Sequence, residues 1–359
     1  MITLAEVFKR SLMERGINRV GSLSKRFRKS RNVFQDMGLA VYYGEGIIAK
    51  LPEPTTMAWD LSGRIVSGSN YAYVPSCMAN RFKRVLTSEA LASALPEWPK
   101  IVIDLSFWDR HTPKEKKKLC LQITQAYGLV KNRFTGRELV VTNVGEEFKR
   151  LFYGPLKKLT IYRGPTWEYL KKEGIERIVL LDPWAERDLS EKDLREKAFV
   201  IGGIVDMGGS KRKTTPKIGE ALEVNDIQVL RRRISLRGNV VGVPDRINRI
   251  VGIILDMMKG LDMERAVYIN QEPLHARWRL RVELPKCVIM YRIDGRDYRV
   301  LRRKVYEEYS KWLKIRWKDF VKVLREIDIV ALDDKRIQKL NKRSTPVEIK
   351  GRIYRVIDT

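Results

Sequence analysis

Between residues 100 and 260, short apolar runs alternate with helix-start signals, and this pattern constrains the fold more than any other feature of the chain. IVIDL (101–105), ELVVT (138–142), RIVLLD (177–182) and AFVIG (198–202) each have the length and branching of a buried strand. A further strand is expected at 226–230. Thr112-Pro113-Lys114-Glu115 places an N-cap threonine, a first-turn proline and a glutamate three residues on, which predicts a helix running to about residue 126. Ser190 to Asp193 resembles a second cap, opening a short helix. After Pro244, the residues Ile247, Ile250, Val251, Ile254, Leu255 and Met258 recur at helical spacing and predict a long helix with one face in the core. Strands alternating with helices predict an α/β fold built on a parallel sheet with helices on its faces.

The flanks read differently. The N-terminal part opens with a helix at 4–15, followed by a basic run of Lys25, Arg26, Arg28, Lys29 and Arg31; 39–51 reads as strand. In the C-terminal part WRLRVEL (278–284) alternates like a strand. The stretches 288–293 and 298–301 flank Asp294-Gly295-Arg296, a hairpin signal, and a second hairpin is expected at Lys350-Gly351. A helix is expected over 304–325, with Tyr309, Leu313, Trp317, Phe320 and Leu324 on one face. The expected division is 1–85, 86–262 and 263–359.

Charge narrows the partners. The chain has 71 Lys and Arg against 44 Asp and Glu, a net of +27. Net charge is +8 over 1–85, +8 over 86–262 and +11 over 263–359, so the flanks are the more densely positive. A thermophile surface rich in both signs would explain the 32% charged residues but not the imbalance. Polyanionic nucleic acid explains both, through counterion release at each neutralised phosphate. The layout expected is a catalytic centre between two nucleic-acid-gripping pieces. Cys77, Cys120 and Cys287 are far apart, which speaks against a zinc site or a disulfide scaffold and fits a reducing cytoplasm. Only two histidines occur, so a His-based metal centre or a Ser-His-Asp triad is not expected; His111, just before a helix start, reads as surface. Neither a membrane span nor a signal peptide is expected.

In an open parallel sheet, ligands bind beyond the carboxyl ends of strands. Three such ends carry chemistry: Leu180-Leu181-Asp182-Pro183, then IGGIVD (201–206) running into Met207-Gly208-Gly209-Ser210, then ISLRGN (234–239) followed by Pro244-Asp245. Glycines let a backbone approach a ligand closely. Neither a P-loop nor a GxGxxG fingerprint occurs, so nucleotide triphosphate and nicotinamide sites are unsupported.

VIGGIVD, preceded by VLLDPW and followed by RISLRGNVVGVPDRINRIVGIIL, resembles the purine-position-nine tRNA N1-methyltransferases, members of the SPOUT class. IVIDLSFWDRHTPKEKKKLCLQITQAY resembles the opening strand and helix of that family's catalytic domain. The resemblance covers roughly 95–260 and points to the archaeal, adenine-modifying branch. It implies a trefoil-knotted SPOUT methyltransferase domain with flanking basic N-terminal and C-terminal α+β domains, acting as a monomer. It also implies S-adenosylmethionine as cofactor, lined by Leu181, Asp182, Gly202, Gly203, Ile234, Leu236 and Gly238, and tRNA as partner.

Adenine N1 has a free lone pair at neutral pH, so attack on a sulfonium methyl needs no prior deprotonation, whereas guanine N1 carries a proton that must be removed. A carboxylate near the base stabilises the developing cation or accepts a proton. Asp206 is the first candidate, Asp245 the second and Asp104 the third; the last two could also be an ordinary helix cap and a strand-end acid. Lys25, Arg26, Arg28, Lys29, Lys211, Arg212, Lys213, Arg232 and Arg233 are the expected phosphate contacts, which fix register without reading sequence. Two other classes fit part of the pattern: an RNA-binding protein without enzymatic activity, and a metal-dependent nuclease using Asp104, Asp182 and Asp206.

Overall fold

In the computed structural model, which describes residues 1–152, 154, 158–208 and 214–357, the strands form three sheets. The first uses β1 (Arg19–Ser22), β2 (Gly46–Lys50), β3 (Met57–Asp60), β4 (Ile65–Ser67), β5 (Tyr71–Pro75) and β6 (Lys83–Leu86), in the order β4-β3-β1-β5-β2-β6. The second uses β7 (Lys100–Asp104), β8 (Leu139–Thr142), β9 (Thr160–Ile161), β10 (Arg177–Leu181), β11 (Ala198–Gly202) and β12 (Gln228–Arg232), in the order β12-β10-β11-β7-β8-β9. The third uses β13 (Ile289–Ile293), β14 (Arg296–Arg302), β15 (Val330–Leu332), β16 (Thr345–Ile349) and β17 (Arg352–Ile357), in the order β15-β14-β13-β17-β16.

The chain divides into two compact units, Met1–Leu180 with Glu196–Leu230, and Leu181–Arg195 with Arg231–Thr359. The division cuts through the segment expected at 86–262, and it falls at the carboxyl ends of β10 and β12.

In the first unit, β11 runs parallel to β7, β7 to β8, and β8 to β9. Val102, Val140, Leu180 and Val200 from four neighbouring strands pack with Leu170 of the helix Thr166–Lys172 and with Ile218 and Leu222 of the helix Thr215–Glu223. The helix Pro113–Lys131 begins as its sequence predicts: the Thr112 hydroxyl accepts from the Glu115 amide, and Glu115 accepts in return from the Thr112 amide. In the second unit, Asp294 and Gly295 take φ of +49° and +77°, and Lys350 and Gly351 take +50° and +74°. Both pairs are the two-residue turns that match the twist of a hairpin, as read from the sequence.

Four expectations change. The stretch 39–51 is not one strand. The helix Val33–Tyr42, capped by Asn32, covers its first part, and β2 its last. The expected strand 226–230 lies two residues later, as β12. The expected helix 304–325 is two helices, Val305–Ser310 and Trp317–Glu326. WRLRVEL is helical, its first six residues ending the helix Pro273–Glu283 and Leu284 opening the 3-10 turn Leu284–Cys287. Its alternation is outweighed by a longer pattern: Ala276, Leu280 and Leu284 are buried four residues apart, while Trp278 and Val282 are 41% and 38% exposed. Among the described residues no helix is long and apolar enough to cross a membrane.

This assignment predicts unequal costs along 278–282, which a strand would have placed on one face. Leu280→Ala should lose about 2–5 kcal/mol in chemical denaturation, and Val282→Ala no more than about 0.5 kcal/mol.

Candidate functional site

The end of β11 is held by its backbone. The Gly203 amide donates to the Asp104 carbonyl (2.7 Å), the Val205 amide to His111 Nε2 (2.9 Å), and the Met207 amide to Glu115 Oε1 (3.0 Å). Of these three, Gly203 and Val205 are buried and Met207 is 49% exposed. Asp206, between two of them, is exposed, with its Oδ1 accepting from the Gly208 amide at 3.2 Å. Gly203 is required here: a Cβ would lie 2.5 Å from Leu105 Cδ2 and 2.7 Å from the Asp104 carbonyl oxygen. Gly202 is tight as well, with a Cβ meeting Ile204 Cδ1 at 2.9 Å.

His111 and Glu115 are the residues that sequence reasoning missed. His111 is buried, against the expectation of a surface position. Because Nε2 accepts from Val205, the proton sits on Nδ1 and is donated to the Trp108 carbonyl (3.1 Å). Glu115 was legible only as half of a capping box; its second oxygen grips the loop. The pairing spans 92 and 94 residues of sequence, and no local signal announces it.

Asp104 is buried at the end of β7. Its carboxylate accepts from the Ser106 amide (2.8 Å), from Asn143 Nδ2 (3.2 Å) and from the Thr166 hydroxyl. Those donors occupy its oxygens, and its carbonyl anchors Gly203.

The other strand ends belong to the second unit. Asp182 is buried; its amide donates to the Arg232 carbonyl (2.8 Å), and its Oδ1 accepts from the Trp184 amide (3.0 Å). Burial pushes its carboxyl above the ordinary range, against the pull of the Trp184 amide and Arg231. Arg232 and Arg233 each face a carboxylate. Arg232 Nε lies 2.9 Å from Asp193 and Arg233 Nε 2.7 Å from Asp188, which also accepts from Ser235 Oγ. Burial alone would raise the Asp193 carboxyl, but Arg232 and Ser190 bring it below its usual value. Ile234 and Leu236 are buried. Arg237 and Gly238 take φ of +51° and +73°, closing a tight turn in which Leu236 and Asn239 exchange backbone hydrogen bonds. Arg237 pairs with Glu264 and lies over Trp312, 4.3 Å from its ring centre.

Asp245 is exposed and lies just before the helix Ile247–Met258. His275, 2% exposed, holds it through Nε2 at 3.2 Å. That hydrogen bond, with the positive charge nearby, leaves the Asp245 carboxyl below its ordinary value.

Among the expected cofactor residues, Gly202 and Gly203 lie in the first unit, and Leu181, Asp182, Ile234, Leu236 and Gly238 in the second. Lys25, Arg28 and Lys29 are exposed, and Arg26 pairs with Glu45. Lys211, Arg212 and Lys213, with Gly209 and Ser210, lie outside the described residues. Among the described residues no group of three or more His, Cys, Asp or Glu could hold a metal ion.

A carboxyl raised by burial penalises the fold wherever it is ionised. Asp182→Asn keeps the Oδ1 acceptor and removes that penalty. Its melting temperature at pH 7 should equal or exceed that of the parent. The gain should vanish as pH falls toward about 4, where the unfolded carboxyl is itself protonated. A variant that melts well below the parent at pH 7 would show that the ionised form is what the fold needs.

A family model described as tRNA (guanine(9)-N(1))-methyltransferase TRM10/TRM10A matches residues 78–268. Models of the N domain and C domain of tRNA (guanine(9)-/adenine(9)-N1)-methyltransferase match 5–94 and 277–359. A Thermococcus kodakarensis protein named tRNA (guanine(9)-/adenine(9)-N1)-methyltransferase is 59% identical over 358 residues, covering 99% of this chain and 97% of the relative. A Sulfolobus acidocaldarius protein named tRNA (adenine(9)-N1)-methyltransferase is 25% identical over 317 residues, covering 87% and 94%. The crystal structure of dual-specific Trm10 from Thermococcus kodakaraensis aligns with a TM-score of 0.66 at 50% identity, over 74% of this chain and 99% of that one. That of Sulfolobus acidocaldarius Trm10 with S-adenosylhomocysteine aligns with a TM-score of 0.65 at 22% identity, over 91% and 100%, a likeness of fold. With both flanks and the middle matched and a near-full-length relative at 59% identity, the chain belongs to the tRNA (guanine(9)-/adenine(9)-N1)-methyltransferase family.

Proposed function

We propose that this protein transfers a methyl group from S-adenosylmethionine to N1 of the purine at position 9 of tRNA, with adenine as substrate. The observation that carries the reading is the loop after β11, held by three backbone hydrogen bonds with the Asp206 side chain exposed, in a chain of this family.

The cofactor residues proposed are Leu181, Asp182, Gly202, Gly203, Ile234, Leu236 and Gly238. Gly202 and Gly203 fit this role, since side chains there would collide with their surroundings and the backbone is left to make the contacts. The Sulfolobus relative crystallised with S-adenosylhomocysteine supports the same cofactor class. When bound, the cofactor supplies a methyl group on a positively charged sulfur. We place the trefoil knot of the SPOUT class in the same stretch; the support is the sheet order, in which β10 lies between β11 and β12.

The chain's own residues then have the following tasks. Asp206 faces the base and stabilises the positive charge that N1 methylation creates, or takes a proton from the exocyclic amine. Asp245, kept ionised by His275, adds negative charge. Asp104 acts through Gly203, as a positioning residue. Lys25, Arg26, Arg28 and Lys29 hold the RNA backbone while the base leaves its stack, a cost of a few kcal/mol. A second reading, guanine at position 9 or both purines, is favoured by the relative named for both.

Two transcripts differing only in A9 or G9, incubated with labelled cofactor, decide between these readings once the modified nucleoside is mapped. The expected product is 1-methyladenosine, formed at a rate nearly flat with pH. Methylation of G9 alone, at a rate rising with pH as its N1 proton is lost, would replace the adenine reading by the guanine one. Asp206→Asn should slow methylation about tenfold, or about 1.4 kcal/mol of transition-state stabilisation, with tRNA affinity unchanged. His111→Phe, which removes the acceptor for Val205 but keeps a ring, should lower kcat in the same direction and leave the KM for tRNA in place. Full turnover in both variants would rule out a chemical role for the loop.

A further inference from the structure

A pocket of about 270 Å³ lies in the first unit, away from the loop after β11. It is walled by the turn Lys25–Lys29, the helix Val33–Tyr42 and the helix Pro113–Lys131. Its volume is near the lower end of small-ligand sites, about 300 Å³. That is too small for a peptide segment and larger than a single inorganic ion needs.

The lining has two parts. Phe27, Tyr43 and Tyr127 supply aromatic surface, over an aliphatic floor from Leu39 and Ala40. Arg26, Lys131 and Lys158 supply positive charge. Lys158 Nζ already sits over the Tyr43 ring, 4.6 Å from its centre. The two acids on the wall have partners. Glu45 is clamped between Arg26 and Lys158, at 2.7 Å from each, and Asp36 accepts from the Ser30 hydroxyl at 2.6 Å. Lys131 has no carboxylate partner among the described residues. The Tyr43 hydroxyl donates to the Thr135 carbonyl (2.8 Å), and the Tyr127 hydroxyl is buried beside it. The pocket therefore sets the part-exposed Tyr43 ring, with Phe27 and Tyr127 themselves buried in the wall, beside an excess of cations. Unstacked nucleotides are held by this combination, with the base on aromatic faces and the phosphate on Lys or Arg.

We propose that this pocket holds one unstacked nucleotide of the RNA substrate other than the methylated one, its base against the tyrosines and its phosphate at Lys131. The proposal rests on the reading of the protein as a tRNA-modifying enzyme. Extracting one base from the folded tRNA disturbs the stacking of its neighbours, and a separate seat for a second nucleotide would hold the opened RNA in register.

The test is a set of otherwise identical tRNA transcripts, each lacking a single base, measured for binding to the full-length protein and to Lys131→Glu. Lys131→Glu should weaken intact tRNA about tenfold and shallow the salt dependence by about one phosphate contact, while the melting temperature, cofactor affinity and kcat at saturating tRNA stay the same. One abasic transcript, not that lacking base 9, should bind the parent about tenfold more weakly, and this penalty should shrink in Lys131→Glu because base and phosphate belong to one nucleotide. Unchanged tRNA affinity in Lys131→Glu overturns the proposal, as does a weakened variant with no abasic transcript distinguished by the parent. Adenosine and guanosine monophosphates are titrated in parallel. Binding of a free nucleotide to the parent, lost in Lys131→Glu while tRNA affinity is untouched, overturns the proposal in favour of a small-molecule site. Methylation of the intact transcript is followed in the same samples; its absence sinks the functional reading, and the abasic series still decides the pocket.

Discussion

The loop after β11 depends on three backbone donors finding three acceptors from distant parts of the first unit. The amides of Gly203, Val205 and Met207 go to the Asp104 carbonyl, His111 and Glu115. Buried amides without partners are costly, about 1–3 kcal/mol each, so these bonds hold the path of the loop. Asp206, between Val205 and Met207, is exposed on the loop held in this way. Asp104 is tied in turn by Ser106, Asn143 and Thr166, so the anchor is itself buried and held.

The second unit uses charge for a comparable purpose. Asp188 and Asp193 hold Arg233 and Arg232, and the Asp182 amide is fixed by the Arg232 carbonyl. Part-buried pairs of this kind add little net stability, yet removing one partner leaves an uncompensated charge. They act on conformation, leading the backbone into the tight turn at Arg237-Gly238. Arg232 and Arg233 thereby each face a carboxylate, whereas Lys25, Arg28 and Lys29 are exposed.

Much of the fold was legible because its signals are local. The capping box at Thr112 and Glu115, the turns at Asp294-Gly295 and Lys350-Gly351, and the strands of the second sheet all follow from neighbouring residues. Where local patterns conflicted, the reading failed. WRLRVEL alternates over seven residues, but Ala276, Leu280 and Leu284 continue a four-residue period beyond that window. The turn at Arg237-Gly238 has the same geometry as the other two, yet no strand pattern on both sides announced it as a hairpin.

The sequence by itself determined the succession of strands and helices, the glycine pair before Asp206, and a positive charge suited to a polyanion. Those follow from periodicity, backbone freedom and composition, which neighbouring residues carry without help. Tertiary structure alone decided that His111 is buried and holds Val205, and that Glu115 holds Met207. It also decided that Arg232 and Arg233 face carboxylates, and that residues near 26, 43, 131 and 158 enclose one pocket. Hydrogen-bond partners some ninety residues apart meet only once the sheet has brought β7 beside β11, and a linear pattern holds no record of that meeting.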